Sequence, residues 1–288
     1  MTATSTKTRS YTADFYCFEK ENEKHSSALA DLLIAHSGGH APAHALEPGS
    51  NELFQVRSIR AYAGGNLFSA VFGRCKFDEK PEQTAVDSDE EDVDLKPGYG
   101  LVQKNHFLFF KDLNLVVFQR NGNAGRYTHF QAYLNKPNFE GYTLLPVLTR
   151  DSYSRIENSG PLKKIEISVR QTALALDPET AHLKHYIEMF RGSHAGRMKV
   201  VLSGAKSGGL TEATKDAFLT LARYGRATIA RATLDDGNEV IDLIADRITH
   251  SMNVKLLANG RPDPTSMFQE LARAKDSCAQ ELRQYFNP

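Results

Sequence analysis

His36, His40 and His44 are spaced by four, the interval that stacks imidazoles on one helix face and could hold a transition metal. Gly38, Gly39 and Pro42 break any helix there, and no cysteine pair or carboxylate completes a ligand set nearby. The three histidines are expected in a solvated loop. A second candidate, Ser203-Gly204-Ala205-Lys206-Ser207-Gly208-Gly209, lies between a predicted strand and a predicted helix. Backbone amides at such a junction attract phosphate oxygens, and Lys206 adds a point charge. Its order does not match the nucleotide-binding pattern of Gly, four residues, Gly-Lys-Ser/Thr, so ATP hydrolysis is not expected; a plain glycine loop and a nucleic-acid phosphate contact both stay open. The carboxylates of Asp87–Asp94 lack the spaced ligands and turn glycine of a calcium loop and read as a solvated linker. Glu166 beside Lys163 and Lys164 has the residue types of a metal-dependent nuclease, but such pairings arise by chance in any charged strand. No nucleophile elbow, HExxH or Cys/His pair is present, so no catalytic residue, metal or cofactor is expected.

Charge is the stronger signal. Overall, 35 Lys and Arg balance 35 Asp and Glu, and that balance hides a segregation. Between Lys76 and Lys96 nine carboxylates face three lysines, whereas Leu101–Arg231 holds 19 Lys and Arg against 10 Asp and Glu. A basic middle beside an acidic segment suits an anion-binding surface with a competitor built in; charges spread over unrelated faces are the plainer alternative. Within the basic stretch, Lys163, Lys164, Arg170, Arg191, Arg197, Lys199, Lys206 and Arg226 are the expected phosphate contacts. Others, among them Lys215 and Arg231, are scattered between them, and Gly192–Arg197 is a donor-rich loop. Phosphate binding needs cations and donors gathered on one face, without special catalytic geometry.

The elements that must gather them can be traced along the chain. Met1–Ser10 has no apolar h-region and is expected to be a disordered arm rather than a signal. Tyr11–Glu19 alternates as a strand, and Ala28–Ala35 carries a leucine stripe. Leu53–Ala63 and Asn66–Cys75 form a predicted hairpin around Gly64-Gly65. The acidic stretch 78–96 has too little apolar content to order itself and is expected to be mobile. Phe107–Lys111 and Leu113–Gln119 read as strands, Thr128–Leu134 as a helix, and Tyr142–Leu148 as extended. Tyr153–Pro161 is a predicted connection between lobes. Beyond it, Leu162–Gln171 alternates, with Ile165, Ile167 and Val169 turned to a core; His182–Phe190 and Thr211–Tyr224 are predicted helices. Thr228–Leu234 and Glu239–Ala245 flank a turn at 235–238, Ile248–Leu257 is extended, and one long helix runs from about 264 to 286.

Several short segments carry a family resemblance. They are Phe15-Tyr16 in the opening strand, the Leu29–Leu33 helix and Leu101-Val102-Gln103-Lys104. To these are added the closing series of Ile229–Leu234, the Asp-Asp-Gly-Asn turn, Val240–Ala245, a strand and a terminal helix. Together they resemble the Rex-type phage-exclusion proteins of lambdoid phages. Phe118-Gln119-Arg120-Asn121 is also similar to a strand end in other small bacterial antiviral proteins. The resemblance covers most of the chain in layout, through short motifs. It implies a homodimer of two-lobed chains able to swivel, sequence-nonspecific binding of double-stranded DNA, and a part in phage defence. It also implies a distant similarity to a ring-forming, recombination-associated DNA-binding family. The acidic segment departs from that pattern.

The expected fold is therefore α+β: two lobes with mainly antiparallel sheets and a long C-terminal helix. A disordered arm (1–10) precedes an N-terminal domain (11–157) with its mobile acidic loop (78–96), and a C-terminal domain (158–288) follows. Three scattered cysteines, Cys17, Cys75 and Cys278, suit reduced thiols in the cytoplasm. The expected function is non-enzymatic DNA binding as a sensor or effector of phage exclusion. The alternatives are a metal-dependent nuclease and an interaction module whose acidic loop docks a membrane effector partner.

Overall fold

The structure is a computed structural model. It describes residues 7–20, 27–46, 50–77, 82–83, 91–136, 142–170, 192–193, 197–205, 208–223, 227–234, 240–244 and 246–286. In chain order the first elements are β1 (Thr8–Lys20), α1 (Ser27–Ala35), β2 (Glu52–Tyr62), β3 (Leu67–Lys76), β4 (Glu82–Gln83) and β5 (Glu91–Asp92). Then come β6 (Leu101–Phe110), β7 (Leu115–Arg120), α2 (Tyr127–Leu134), β8 (Tyr142–Pro146), α3 (Arg150–Glu157) and β9 (Leu162–Arg170). The chain continues with β10 (Arg197–Ser203), α4 (Glu212–Arg223), β11 (Ala227–Leu234), β12 (Val240–Asp242), β13 (Thr249–Lys255), α5 (Pro264–Ser277) and α6 (Ala279–Phe286). Helices combine with antiparallel sheets, so the fold is α+β, as the sequence predicts.

Two compact units emerge: Met1–Leu144 with Thr249–Ser277, and Leu145–Ile248 with Cys278–Pro288. This division differs from a single boundary at 157/158. The predicted disordered arm is a strand from Thr8 onward, and that extension gives β13 a partner, from Thr8↔Lys255 to Asp14↔Thr249. A strand expected in the second lobe thereby becomes the edge of the first unit's sheet. The predicted long terminal helix is likewise two helices parted at Cys278, each belonging to a different unit.

In the first unit the sheet order is β13-β1-β7-β6-β3-β2, with β8 also paired to β1. Alternate residues point to opposite faces, and here both faces are covered. On one face Tyr16, Phe68, Phe72, Phe107, Phe109 and Phe118 pack with Leu29 and Leu33 of α1 and with Phe130, Tyr133 and Leu134 of α2. On the other face α5 lies over β6, β7 and β13, burying Met267, Leu271 and Ala274. Double cover explains why β7 reads as an unbroken apolar run, with Leu115, Val116, Val117 and Phe118 all buried. The Gly64-Gly65 hairpin forms as predicted, with left-handed φ of 66° and 91° that suit glycine.

The histidine loop has a structural task. Along β2 the Gly38, Ala41 and His44 amides donate to the carbonyls of Ile59, Val56 and Phe54, so this segment covers the edge of the sheet. His40 Nδ1 accepts the Ser58 amide at 3.1 Å, and the His44 ring lies 5.5 Å from Tyr133. In the acidic stretch, β4 and β5 form a two-residue ladder, Glu82↔Asp92 and Gln83↔Glu91. Residues 78–81 and 84–90 lie outside the described residues, as do the predicted helix 182–190 and the predicted turn 235–238.

The second unit holds a four-stranded sheet of order β10-β9-β11-β12. Its inner face buries Leu162, Ile165, Ile167, Ala230, Ala232 and Ile241 against Phe218, Leu221 and Ala222 of α4. The segment read as a lobe connection is in fact the helix α3: Ile156 enters this core, and Ser152 Oγ donates to Asp246 Oδ2 at 2.7 Å near its start. Lys215 of α4 is buried, donating from Nζ to the carbonyls of Glu157 and Ser159 at 3.1 Å each and pairing with Glu212. A cation at the end of α3 meets carbonyls with no helical partner, so Lys215 ties α3 to α4.

Candidate nucleic-acid interface

The alternation of β9 decides what its lysines can do. Ile165 and Ile167 turn inward, so Lys164, Glu166 and Ser168 take the outer side, and the Arg170 position continues that register. Antiparallel register places directly opposed residues on one face. Arg197 stands opposite Arg170, Lys199 opposite Ser168, Val201 opposite Glu166 and Ser203 opposite Lys164. Across the sheet, Arg231 stands opposite Glu166 and Thr233 opposite Lys164, while Asp242 and Val240 of β12 stand opposite Arg231 and Thr233. On this outer face Val201 is 46% and Val240 59% exposed, and Lys164, Arg197, Lys199 and Arg231 are exposed as well, whereas Ser168 in the middle of β9 is buried. Five cationic positions share it with two carboxylates.

Both carboxylates are engaged. Lys199 Nζ lies 2.8 Å from Glu166 Oε1, and Arg231 Nε donates to Asp242 Oδ2 at 2.7 Å. The Lys199 ammonium holds the Glu166 carboxyl below the usual carboxylate range, and the charges of Lys199, Arg231 and Lys164 act the same way. Arg231 is raised in turn, first by its bond to Asp242. What remains is a surplus of positive charge on an open sheet. No aromatic residue stands among the described positions of this face, so it can pair with phosphate oxygens but offers no ring for base stacking.

The predicted contacts are partly gathered. Lys164, Arg197 and Lys199 converge on this face, and Arg170 occupies a register position on it. Lys163 is exposed at the start of β9, where the pairing with β11 shifts register between Lys164 and Leu162, so the alternation that places Lys164 on this face does not extend to it. Arg191, Lys206 and Arg226 lie outside the described residues. Lys215, part of the scattered basic set, is a buried strut. Arg231 belongs to the face although it was not among the expected contacts. Its signal was the alternation of β11, where Ala230 and Ala232 are buried on either side of it.

Packing accounts for two of the three glycines of the 203–209 loop, Gly204 and Gly209. A Cβ on Gly204 would come 2.4 Å from Gly209 Cα, and one on Gly209, at φ +65°, would come 2.6 Å from Pro161 Cβ. The Gly204 amide donates to the Lys163 carbonyl and the Leu210 amide to the Leu162 carbonyl, each at 2.8 Å, tying the loop to the start of β9.

Other polar groups read as structural. Arg120 grips Asp14 through two hydrogen bonds on the large sheet. His106, buried beneath Phe268, pairs through Nδ1 with Gln119 Oε1 at 2.8 Å. Burial lowers its pKa, Gln119 opposes that shift, and Lys104 adds to it. Among the described residues no group of three or more His, Cys, Asp or Glu could hold a metal ion. Nor is any described helix long and apolar enough to cross a membrane.

Fold and face together define an α+β protein whose smaller antiparallel sheet is sheathed on one side and displays cations on the other. The chain belongs to DUF6731, a family of unknown function, which matches it over residues 8–280. No curated protein matches it.

Proposed function

We propose that the outer face of β10-β9-β11-β12 binds the sugar–phosphate backbone of double-stranded DNA without reading its sequence. The observation that carries this is the convergence of Lys164, Arg197, Lys199 and Arg231, with the Arg170 position, on one open sheet. Cations in cross-strand register on a sheet suit a duplex, which presents its phosphates outward and keeps its bases paired. In this reading the protein acts in the cytoplasm as a sensor or effector of phage defence or exclusion, as a homodimer, with a membrane-protein effector as a further partner. The defence role and the dimer rest on the Rex-type resemblance of Phe15-Tyr16, Leu101–Lys104 and the closing strands and helix, and the effector rests on the acidic segment 78–96 as a docking element.

Gel-shift titration of labelled duplex at two salt concentrations tests the binding. Affinity is expected to fall with a log–log slope of about −0.9 for each phosphate neutralised, equally for unrelated sequences. Arg197→Ala should weaken every duplex alike. Undetectable binding at low salt removes the proposal, and cleavage of the labelled DNA in Mg²⁺ or Mn²⁺ would turn it toward a nuclease.

A further inference from the structure

Glu166 stands where a purely cationic face would not place a carboxylate. It lies on β9, inside the sheet, with strands on both sides. Lys199 contacts it from β10, Arg231 stands directly opposite on β11, and Lys164 lies two residues back on the same side of its own strand. Its side chain is 18% exposed while that of Lys199 is 53% exposed, so the carboxylate sits low in the sheet and the ammonium reaches over it. Asp242, by contrast, lies on the terminal strand β12 and engages Arg231.

A carboxylate and a phosphate diester offer a lysine or arginine the same thing, anionic oxygens that accept charge-assisted hydrogen bonds. Three cations grouped around one anionic group therefore form a ready phosphate-sized site, filled from within. We propose that the Glu166 carboxylate holds the place of a DNA phosphate at the centre of this face, and that incoming phosphate must displace it from Lys199. This rests on the reading of the face as a duplex-binding surface. Glu166 then sets affinity and salt response: while it holds Lys199, that lysine is withheld from DNA, and its own charge repels the backbone. A polyanion with closely spaced phosphates can win this exchange, whereas an isolated anion competes poorly. The chain thus discriminates against small phosphates without a sequence-reading contact.

The test is fluorescence anisotropy with labelled duplex, comparing the full-length wild type with Glu166→Gln across a salt series. The variant keeps shape and hydrogen bonding but removes the charge. It is expected to bind about 5- to 10-fold more tightly near 0.1 M salt, with a log–log slope steeper by about 0.9 because Lys199 becomes available to one more phosphate. Inorganic phosphate should displace DNA from the variant more readily than from the wild type. Asp242→Asn is expected to give a smaller gain. If the wild type binds and Glu166→Gln binds equally or more weakly at unchanged slope, the inference is overturned while the DNA-binding reading stands. If neither protein binds at low salt, the reading itself fails and the inference with it. Thermal melting checks that the variant folds; Glu166→Thr, a residue well suited to strands, is judged by the same criteria if it does not.

Discussion

The two larger sheets of this protein are built from the same kind of strand and differ in what covers them. In the seven-stranded sheet both faces are occupied, by α1 and α2 on one side and α5 on the other, and β7 runs apolar and buried from Leu115 to Phe118. In the four-stranded sheet one face packs on α4 while the other carries Lys164, Glu166, Lys199 and Arg231. A sheet covered twice has little surface left to meet a ligand. A sheet covered once presents a regular, rigid array of side chains, and the charges on that array are where function is to be sought.

The largest expected effect sharpens this contrast. Phe72→Ala, in the doubly covered sheet, should destabilise the protein by about 3–5 kcal/mol, through lost burial and the cavity left behind. Val201→Ala, on the open face, should stay within about 0.5 kcal/mol. Urea denaturation followed by circular dichroism measures both; equal effects would mean that the face of β10 is covered in solution. Next in size is Lys215→Ala. It strips two carbonyls and Glu212 of their partner and should cost about 2–4 kcal/mol, confined to the second unit in hydrogen exchange.

A smaller effect concerns pH. His106 is buried in the first unit with a lowered pKa, so the native state resists a proton that the unfolded chain accepts below about pH 6.5. Stability should therefore fall as the pH drops from 7.5 to 5.5, by up to about 1.4 kcal/mol per pH unit for this one group. His106→Gln should flatten that dependence. Glu166 acts in a separate window: its lowered pKa contributes stability above the unfolded value near 4.5, and that contribution is lost as pH falls through the folded value. An urea midpoint for the first unit that does not move between pH 7.5 and 5.5 would remove His106 from the account.

Local order was legible in the residues themselves. The Gly64-Gly65 hairpin, α2 and the inward isoleucines of β9 follow from turn chemistry and periodicity. Pairing between distant segments was not legible, because nothing in Thr249–Lys255 says that its partner is the stretch from Thr8 to Asp14, across which the Ser10 and Ser251 hydroxyls, 241 residues apart, also meet. The break at Cys278 was hidden for a related reason: the apolar stripe runs on through it, and the ends of that stripe serve two different cores. Of the candidate site, the types of residue were visible and their companions were not. Arg231 comes opposite Glu166, and Asp242 opposite Arg231, through cross-strand register, which a linear pattern does not encode.

The central claim is that the open face of the small sheet, rather than positive charge in general, binds DNA. Anisotropy of labelled duplex with the double variant Arg197→Glu and Lys199→Glu tests it most directly, beside a control that reverses the exposed Lys104 and Lys255 of the first unit. Both variants change net charge equally. Loss of binding by about 100-fold or more in the first, with a shallower salt slope and near-wild-type affinity in the second, is the expected result. Equal losses in the two would show that DNA responds to overall charge alone and would contradict the account.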